Sequence, residues 1–395
     1  MLPIVVIASW FLSNANPTAL PPTPSSIDTV RIDRSTLARA LANPTACRAP
    51  AGPSAWPEGI VAEETAVAGQ SLLMQAGRFA FLDRAAKTIR VIAPTGQEVA
   101  RLGQLGEGPG EYGLAAYLFR WAGDTIAVRD VNAARISLFT NNGFVRAIGH
   151  GAVPSLGVAG LMGRLGDGTL VFGANHHLTE GIPDKGHHRP SIDLVAWRPG
   201  AGSTEGIRAK FPGPEIRIIT RNKERGALRV NFPRRTLFGT TEQHILVHDD
   251  AKPEVQMLSA AGRTVRVFAF DIKDPPVSQE DRDSVDARHR FLQQRGWSSP
   301  EAMEMLKHYP ATRPGIAWHG PDAGNGFWLG FHPPVASGSK VYIRLNEAGV
   351  PTGCFRPASR EEYGVAFAAD RIVTRRQEPE GDILTVGRVA SYPTR

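Results

Sequence analysis

Cysteine is nearly missing: 395 residues hold two, Cys47 and Cys354. No C-x-x-C pair exists, so a zinc or redox centre built on cysteine is not expected. Long apolar runs are also lacking. Pro3–Leu12 extends for about ten residues, too short to cross a bilayer as a helix, and no other stretch is apolar enough to form a stable membrane span. The glycine-rich stretch Arg101–Tyr112 has no Lys and Ser/Thr at its end, which excludes a phosphate-binding P-loop. A G-x-S-x-G nucleophile elbow is absent too. The formal charge of +7 would suit an acidic partner such as an anionic glycan. The cations are scattered, however, and the densest clusters, Arg217–Arg229 and Arg234–Arg235, carry no interleaved aromatics. Nucleic acid is therefore not among the expected partners, and the simplest reading is a solvated basic surface.

What the chain has in quantity is punctuation. Its 41 glycines and 31 prolines suit many short strands joined by turns. One spacing recurs. Asp83 is followed by Ile89, Ile92 and Gly96; Asp130 by Ile136, Phe139 and Gly143; Asp249 by Val255, Leu258 and Gly262. Around Gly349 the last part returns, with Tyr342 and Leu345. Period-two alternation flanks each copy, as in SLLMQ, RFAFLD, TIRVIA and QEVARL. A repeat of roughly 45 residues with up to four strands is the mark of a β-propeller blade. Six such units fit, so the expected fold is all-β: a six-bladed β-propeller of four-stranded antiparallel blades. Residues 278–309 break the pattern after Pro275-Pro276 and read as a small helical insertion before the fifth blade, with Ser278 capping over Asp281.

Residues 1–15 read as a signal-peptide-like segment, with small residues Ser13-Asn14-Ala15 after the apolar run, although no Lys or Arg precedes it. The alternative is a buried strand. A Pro-rich linker, 16–26, follows, and 27–395 form the propeller. Within it, 27–68 are a lead-in expected to give a strand to the last blade and close the ring, which would bring Cys47 towards Cys354. Export, to the periplasm or beyond, would permit a disulfide between them.

At GQLGEGPGEY and the following GDTIAVRDVNAARISLF, the chain resembles exported bacterial six-bladed, NHL-like β-propellers. The matching residues are Gly103, Gly106, Gly108, Pro109, Gly110, Glu111 and Tyr112, then Gly123, Asp124 and Asp130. The resemblance implies the fold and export, and transfers no catalytic residues. Sugar-lactonase-type propellers hold a metal in the central channel through Glu, Asn and Asp of separate blades. Such residues exist here, but no spacing selects them.

Each candidate site has a structural counterpart reading. Glu107 and Glu111 of the glycine-rich loop, with Arg120, are the candidate ligand contacts; the same loop also reads as a plain connection between blades. His176, His177, His187 and His188, with Glu180 and Asp184 between them, are candidate ligands for a divalent metal. Adjacent histidines on a strand point to opposite faces, which favours a solvated loop instead. Asp83, Asp130 and Asp249 recur, as turn-capping carboxylates do and single catalytic groups do not. His244 and His248 read as ordinary. The function expected is a monomeric, ligand- or protein-binding propeller of the cell envelope, taking a protein, a peptide or a glycan. The alternative is a metal-dependent hydrolase or lyase with its site in the central channel.

Overall fold

The repeat spacing falls on one structural unit. The computed structural model describes residues 27–42, 47–48, 60–62, 71–74, 77–83, 86–113, 116–130, 133–149, 160–175, 183, 186–200, 206–221, 224–294, 309–322, 325–331, 340–359, 362–378 and 381–392. The chain begins with β1 (Asp28–Ile32), helix α1 (Arg34–Ala42) and β2 (Ile60–Ala62). Blade 1 is β3 (Ser71–Leu73), β4 (Phe79–Asp83), β5 (Thr88–Ile92) and β6 (Glu98–Leu102). The short parallel pair β7 (Gln104–Leu105) and β8 (Glu111–Tyr112) leads to blade 2. Blade 2 is β9 (Ala116–Arg120), β10 (Ile126–Asp130), β11 (Arg135–Thr140) and β12 (Gly143–Gly149).

Blade 3 comprises β13 (Gly160–Arg164), β14 (Leu170–Asn175), β16 (Ser191–Trp197) and β17 (Gly206–Pro212). Its excursion β15 (Gly186–His188) joins β18 (Ile216–Arg221) and β19 (Glu224–Arg229) in a separate three-stranded sheet. Blade 4 is β20 (Thr236–Thr240), β21 (Ile245–Asp249), β22 (Glu254–Leu258) and β23 (Thr264–Phe270). Helix α2 (Gln279–Gln294) precedes blade 5, which is β24 (Ile316–Pro321), β25 (Gly326–Phe331), β26 (Val341–Asn346) and β27 (Pro351–Phe355). Blade 6 has β28 (Tyr363–Phe367), β29 (Arg371–Glu378) and β30 (Gly381–Arg388), and β31 (Ala390–Ser391) ends the strand series.

These sheets are the six blades of a propeller. The first strands are innermost, and they neighbour one another in the cyclic order β3, β9, β13, β20, β24, β28 and back to β3. The chemistry of the repeat explains the blade. Its aspartate ends the second strand, and its carboxylate accepts a turn N–H: Ala86 to Asp83 and Ala133 to Asp130 at 3.1 Å, and Ala251 to Asp249 at 3.1 Å. The two apolar positions lie on the third strand and are almost fully buried, Ile89 and Ile136 among them. Burying such a side chain is worth about 1.5–3 kcal/mol. A register shift precedes the second apolar position in four blades, at Val91/Ile92, Leu138/Phe139, Met257/Leu258 and Arg344/Leu345. The closing glycine makes the next turn with positive φ, 90° at Gly96 and 77° at Gly262, a conformation that costs other residues strain.

The N-terminal segment is more elaborate than a lead-in. β1 adds to blade 4 in parallel, beside β23, and β2 supplies the outer strand of blade 6 beside β30. Between them α1 starts under an Asp33 cap, whose Oδ1 accepts the Thr36 N–H at 2.6 Å. Leu37 and Ala40 of α1 are buried against Phe270, Phe331 and Tyr392. The Arg356 guanidinium donates to the carbonyls of Ala40 and Leu41 at 3.0 and 3.3 Å, satisfying acceptors that a helix end leaves open. Cys47 is bonded to Cys354 across 307 residues of sequence. At the other insertion, Ser278 and Asp281 cap α2 reciprocally: the Ser278 N–H donates to the Asp281 carboxylate at 2.9 Å, and the Asp281 N–H to Ser278 Oγ at 3.1 Å. The rest of the expected helical segment, 295–308, lies outside the described residues.

Candidate functional site

Each innermost strand runs into a tight turn before its blade's second strand, so six turns ring one mouth of the central channel. Charged residues collect there although no spacing in the sequence relates them. Arg78 of blade 1 is ion-paired with Asp124 of blade 2. Arg164 of blade 3 donates to the Trp121 carbonyl at 3.0 Å and lies 5.1 Å from the centre of the Trp121 ring. The Gly166 N–H donates to the Glu242 carbonyl at 2.7 Å, joining blades 3 and 4. In blade 6, Arg371 pairs with Asp370 at 2.6 Å and lies against Gly77 of blade 1, where a Cβ would sit 2.4 Å from Nη1. In blade 5 the buried Asp322 carboxylate receives Arg344 Nη2 at 3.2 Å and the Gly326 N–H at 3.2 Å. Gly326 is required there, because a Cβ would fall 2.6 Å from the Arg344 guanidinium carbon.

Arg120, the last residue of β9, behaves differently. Among the described residues no carboxylate lies within ion-pair distance of it. Burial lowers its pKa from the ordinary guanidinium value, and the fields of Glu242 and Asp322, from blades 4 and 5 across the ring, oppose that shift. The group stays cationic, because a guanidinium does not lose its proton in proteins. Arg120 is thus a partly desolvated cation at the end of an innermost strand, with two carboxylates at Coulomb range and none in contact among the described residues. Such a group can receive a ligand carboxylate in a bidentate geometry without first breaking an ion pair.

The other sequence candidates lie elsewhere. The Glu111 carboxylate folds back over its own loop, accepting Gln104 Nε2 at 2.7 Å and the Gly108 N–H at 2.8 Å. These donors hold its carboxyl below the usual carboxylate range. Gly106 takes a positive φ of 152°, and a Cβ there would press on the Glu111 carboxylate, so a larger residue would displace it. Arg135 from blade 2 fastens the loop by donating to the carbonyls of Glu107 and Glu111 at 2.7 and 2.8 Å. Glu107 is exposed. The loop feeds the start of β9 whereas Arg120 ends that strand, so the structure does not bring these three residues together.

His176 and His177, with Glu180 and Asp184, lie outside the described residues. His187 and His188 are adjacent on β15, in register with Arg217 and Ile216 of β18. His187 Nδ1 is 2.7 Å from Glu215. Among the described residues no three His, Cys, Asp or Glu side chains are placed so that they could hold a metal ion. His244 contacts Glu347 at 3.4 Å. His248 is buried, with Nδ1 2.8 Å from the Glu254 carbonyl and Nε2 3.1 Å from Asp250. Of the residues at the channel mouth, sequence reasoning singled out Arg120 and missed Glu242, Asp322 and Arg78. Their only common signal is a charge just after a blade's first strand.

No family model matches the sequence, and no curated protein matches it. Similar solved structures include a Bacteroides fragilis protein described as exported, at 12% identity and TM-score 0.47, covering 88% of this chain and 94% of that one. A gluconolactonase from Xanthomonas campestris follows at 11% identity and TM-score 0.41, covering 94% of this chain and 99% of that one. Virginiamycin B lyase from Staphylococcus aureus gives 11% identity and TM-score 0.39, covering 81% and 94%. At these values none of them carries an activity to this chain, and the propeller stands on its own sheet order.

Proposed function

We propose that this chain is an exported, ligand-binding propeller of the cell envelope. Its ligand presents a carboxylate to Arg120 at the turn-side mouth of the channel. The observation that supports this reading is Arg120 itself: it ends an innermost strand, is partly desolvated, feels the charges of Glu242 and Asp322 from blades 4 and 5, and has no ion-pair partner among the described residues. Glu242 and Asp322 would reject ligands with further negative charge close by and favour a single carboxylate, as at a peptide C-terminus or on a uronate. Binding of this kind uses residues from several blades on a rigid ring, which is why no linear motif announces it. No helix among the described residues is long and apolar enough to cross a membrane.

The test is ligand-observed NMR with N-acetylglycine and glucuronate on the wild type and on Arg120→Gln. Saturation transfer to either probe in the wild type, lost in the variant, supports the site. Equal transfer in both proteins overturns it, as does the absence of transfer in the wild type at millimolar probe.

A further inference from the structure

On the face of the ring opposite the channel-mouth turns, the rim of blade 1 carries an open groove of about 590 Å³, the size of a small-molecule site. One wall is the turn from β4 to β5, with Lys87 and Thr88; the other is the end of β6 and its exit, with Arg101, Gly103 and Gln104. The antiparallel order of β4, β5 and β6 brings both walls to the same end of the blade. The glycine-rich stretch beginning at Arg101 therefore does more than connect two blades: its first residues form half of a cavity.

The walls are held before any ligand arrives. The Asp83 carboxylate accepts the Ala86 N–H at 3.1 Å, and the Thr88 hydroxyl is shared between the carbonyls of Leu102 and Gly103, at 3.3 and 3.2 Å. Gly103 takes a φ of 67° against the Tyr112 ring, where a Cβ would sit 2.6 Å from a ring carbon. Lys87 also has a left-handed backbone, φ 56°, and so does Ala134 at the same place in blade 2, φ 47°. The conformation belongs to the aspartate-capped turn, whereas the cation is no part of what the turn requires.

Charge decides what such a groove takes. Arg90 bridges Asp83 and Glu98 at 3.2 and 2.8 Å, and Arg101 donates through Nε to the second oxygen of Glu98. Three cations, Arg90, Arg101 and Lys87, thus meet two carboxylates. Lys87 has no ion-pair partner among the described residues, and the Arg101 side chain is 63% exposed. Glu107 and Glu111 do not line the groove, but the Gln104 amide holds the Glu111 carboxylate at 2.7 Å. A second negative charge on a ligand would lie near that carboxylate, so the excess of one cation suits a ligand with a single charge.

We propose that this groove is a binding site for a sugar bearing one sulfate ester. A tetrahedral oxyanion offers oxygens in three directions, so Lys87 meets it from one wall and Arg101 from the other; a planar carboxylate suits a single fork. The Gln104 side-chain carbonyl and the Thr88 hydroxyl oxygen supply acceptors for sugar hydroxyls. Among the described residues no aromatic side chain lines the groove, so it has no platform for a nucleobase. The site is separate from Arg120 and does not depend on the reading of the channel.

The experiment is saturation-transfer NMR on the disulfide-intact protein with galactose 6-sulfate, with galactose and galactose 6-phosphate as comparison probes. The wild type, K87Q/R101Q and Lys87→Glu are titrated, each checked for native circular dichroism. Lys87→Glu reverses a charge outside the Glu98 network and so keeps the test open if the double variant is perturbed. The expected result is saturable transfer to galactose 6-sulfate in the wild type, weakened roughly fivefold or more in both variants, as the loss of exposed charge contacts requires. Affinity unchanged in the variants overturns the assignment, and so does the absence of transfer in the wild type at millimolar probe. Galactose bound as well as its sulfate overturns it too, because the charge is then not read. Galactose 6-phosphate bound more tightly than the sulfate overturns the selection for a single charge.

Discussion

The two halves of the ring are finished differently at the rim. Blades 4, 5 and 6 each carry an outer strand drawn from a chain terminus, β1, β31 and β2 respectively. Blades 1, 2 and 3 end on their own fourth strands, β6, β12 and β17. Exposed apolar side chains occur in both halves, Val99, Phe144 and Val145 on the open one and Ile27, Val265 and Val350 on the sealed one; on the open edges Arg101 and Arg146 are the charges that discourage edge-to-edge pairing. On the sealed half, α1, Tyr392 and the Cys47–Cys354 bond knit the first and last described segments onto one core. A ring has no natural end, so the place where the chain starts and stops is its weak point. Here the disulfide sits at that place, whereas buried polar groups occur in both halves, Asp83 with Arg90 in blade 1 as well as Asp322 with Arg344 in blade 5.

Removing the disulfide is the strongest way to break this comparison. The Cys47→Ser, Cys354→Ser double variant should lose about 4 kcal/mol, since the bond closes a very long loop in the unfolded chain. Urea unfolding with and without reductant reads the change, and hydrogen exchange should show blades 4–6 losing protection before blades 1–3. A uniform loss of protection would mean that the two halves are not distinct.

The buried ion pairs give the next largest contrast. In blade 5, Arg344→Ala strands the Asp322 carboxylate, which is 5% exposed, and should cost about 3–5 kcal/mol. In blade 3, Lys210 approaches the buried Asp193 at 3.9 Å with its own side chain 67% exposed, so it is a loosely held partner. Lys210→Ala should therefore cost no more than about 1 kcal/mol. Denaturant midpoints of the two variants decide the matter: similar losses would mean that exposure of the cation does not set the worth of the pair.

The smallest expected effect sharpens the open half. The Glu111 carboxyl titrates below its ordinary range, because Gln104 and then the Gly108 N–H favour the charged form. A depressed carboxyl pKa contributes order that is complete above the ordinary value and is lost as pH falls through the lower, folded-state one. Amide exchange at Gly106 and Gly108 should accelerate in that acidic window in the wild type. In Glu111→Gln it should be fast throughout and insensitive to pH. A wild-type loop with no acid sensitivity would contradict the carboxylate's role in holding it.

Much of the blade was legible because its demands are local and repeated. Asp83, Asp130 and Asp249 cap the same turn, and Gly96, Gly143 and Gly262 supply the same positive φ, so blades 1, 2 and 4 print the same letters at the same spacing. The Ser278–Asp281 cap was readable for the same reason. The parallel docking of β1 on blade 4 was not, because Asp28–Ile32 is an ordinary alternating strand whose partner lies more than two hundred residues away. Nor was the inserted sheet: Glu224–Arg229 is short, and its pairing with β18 depends on a hairpin that follows no blade spacing.

By itself, then, the sequence determined the unit and its number. Backbone turns, pleat alternation and buried apolar positions act within a few residues, and they impose a recognisable period. The tertiary structure alone decided which side chains meet at the channel mouth and which rims are sealed. Arg120, Glu242 and Asp322 come from blades 2, 4 and 5, and each obeys only its own strand. Their convergence follows from closing the ring, a long-range event that leaves no spacing behind in the chain.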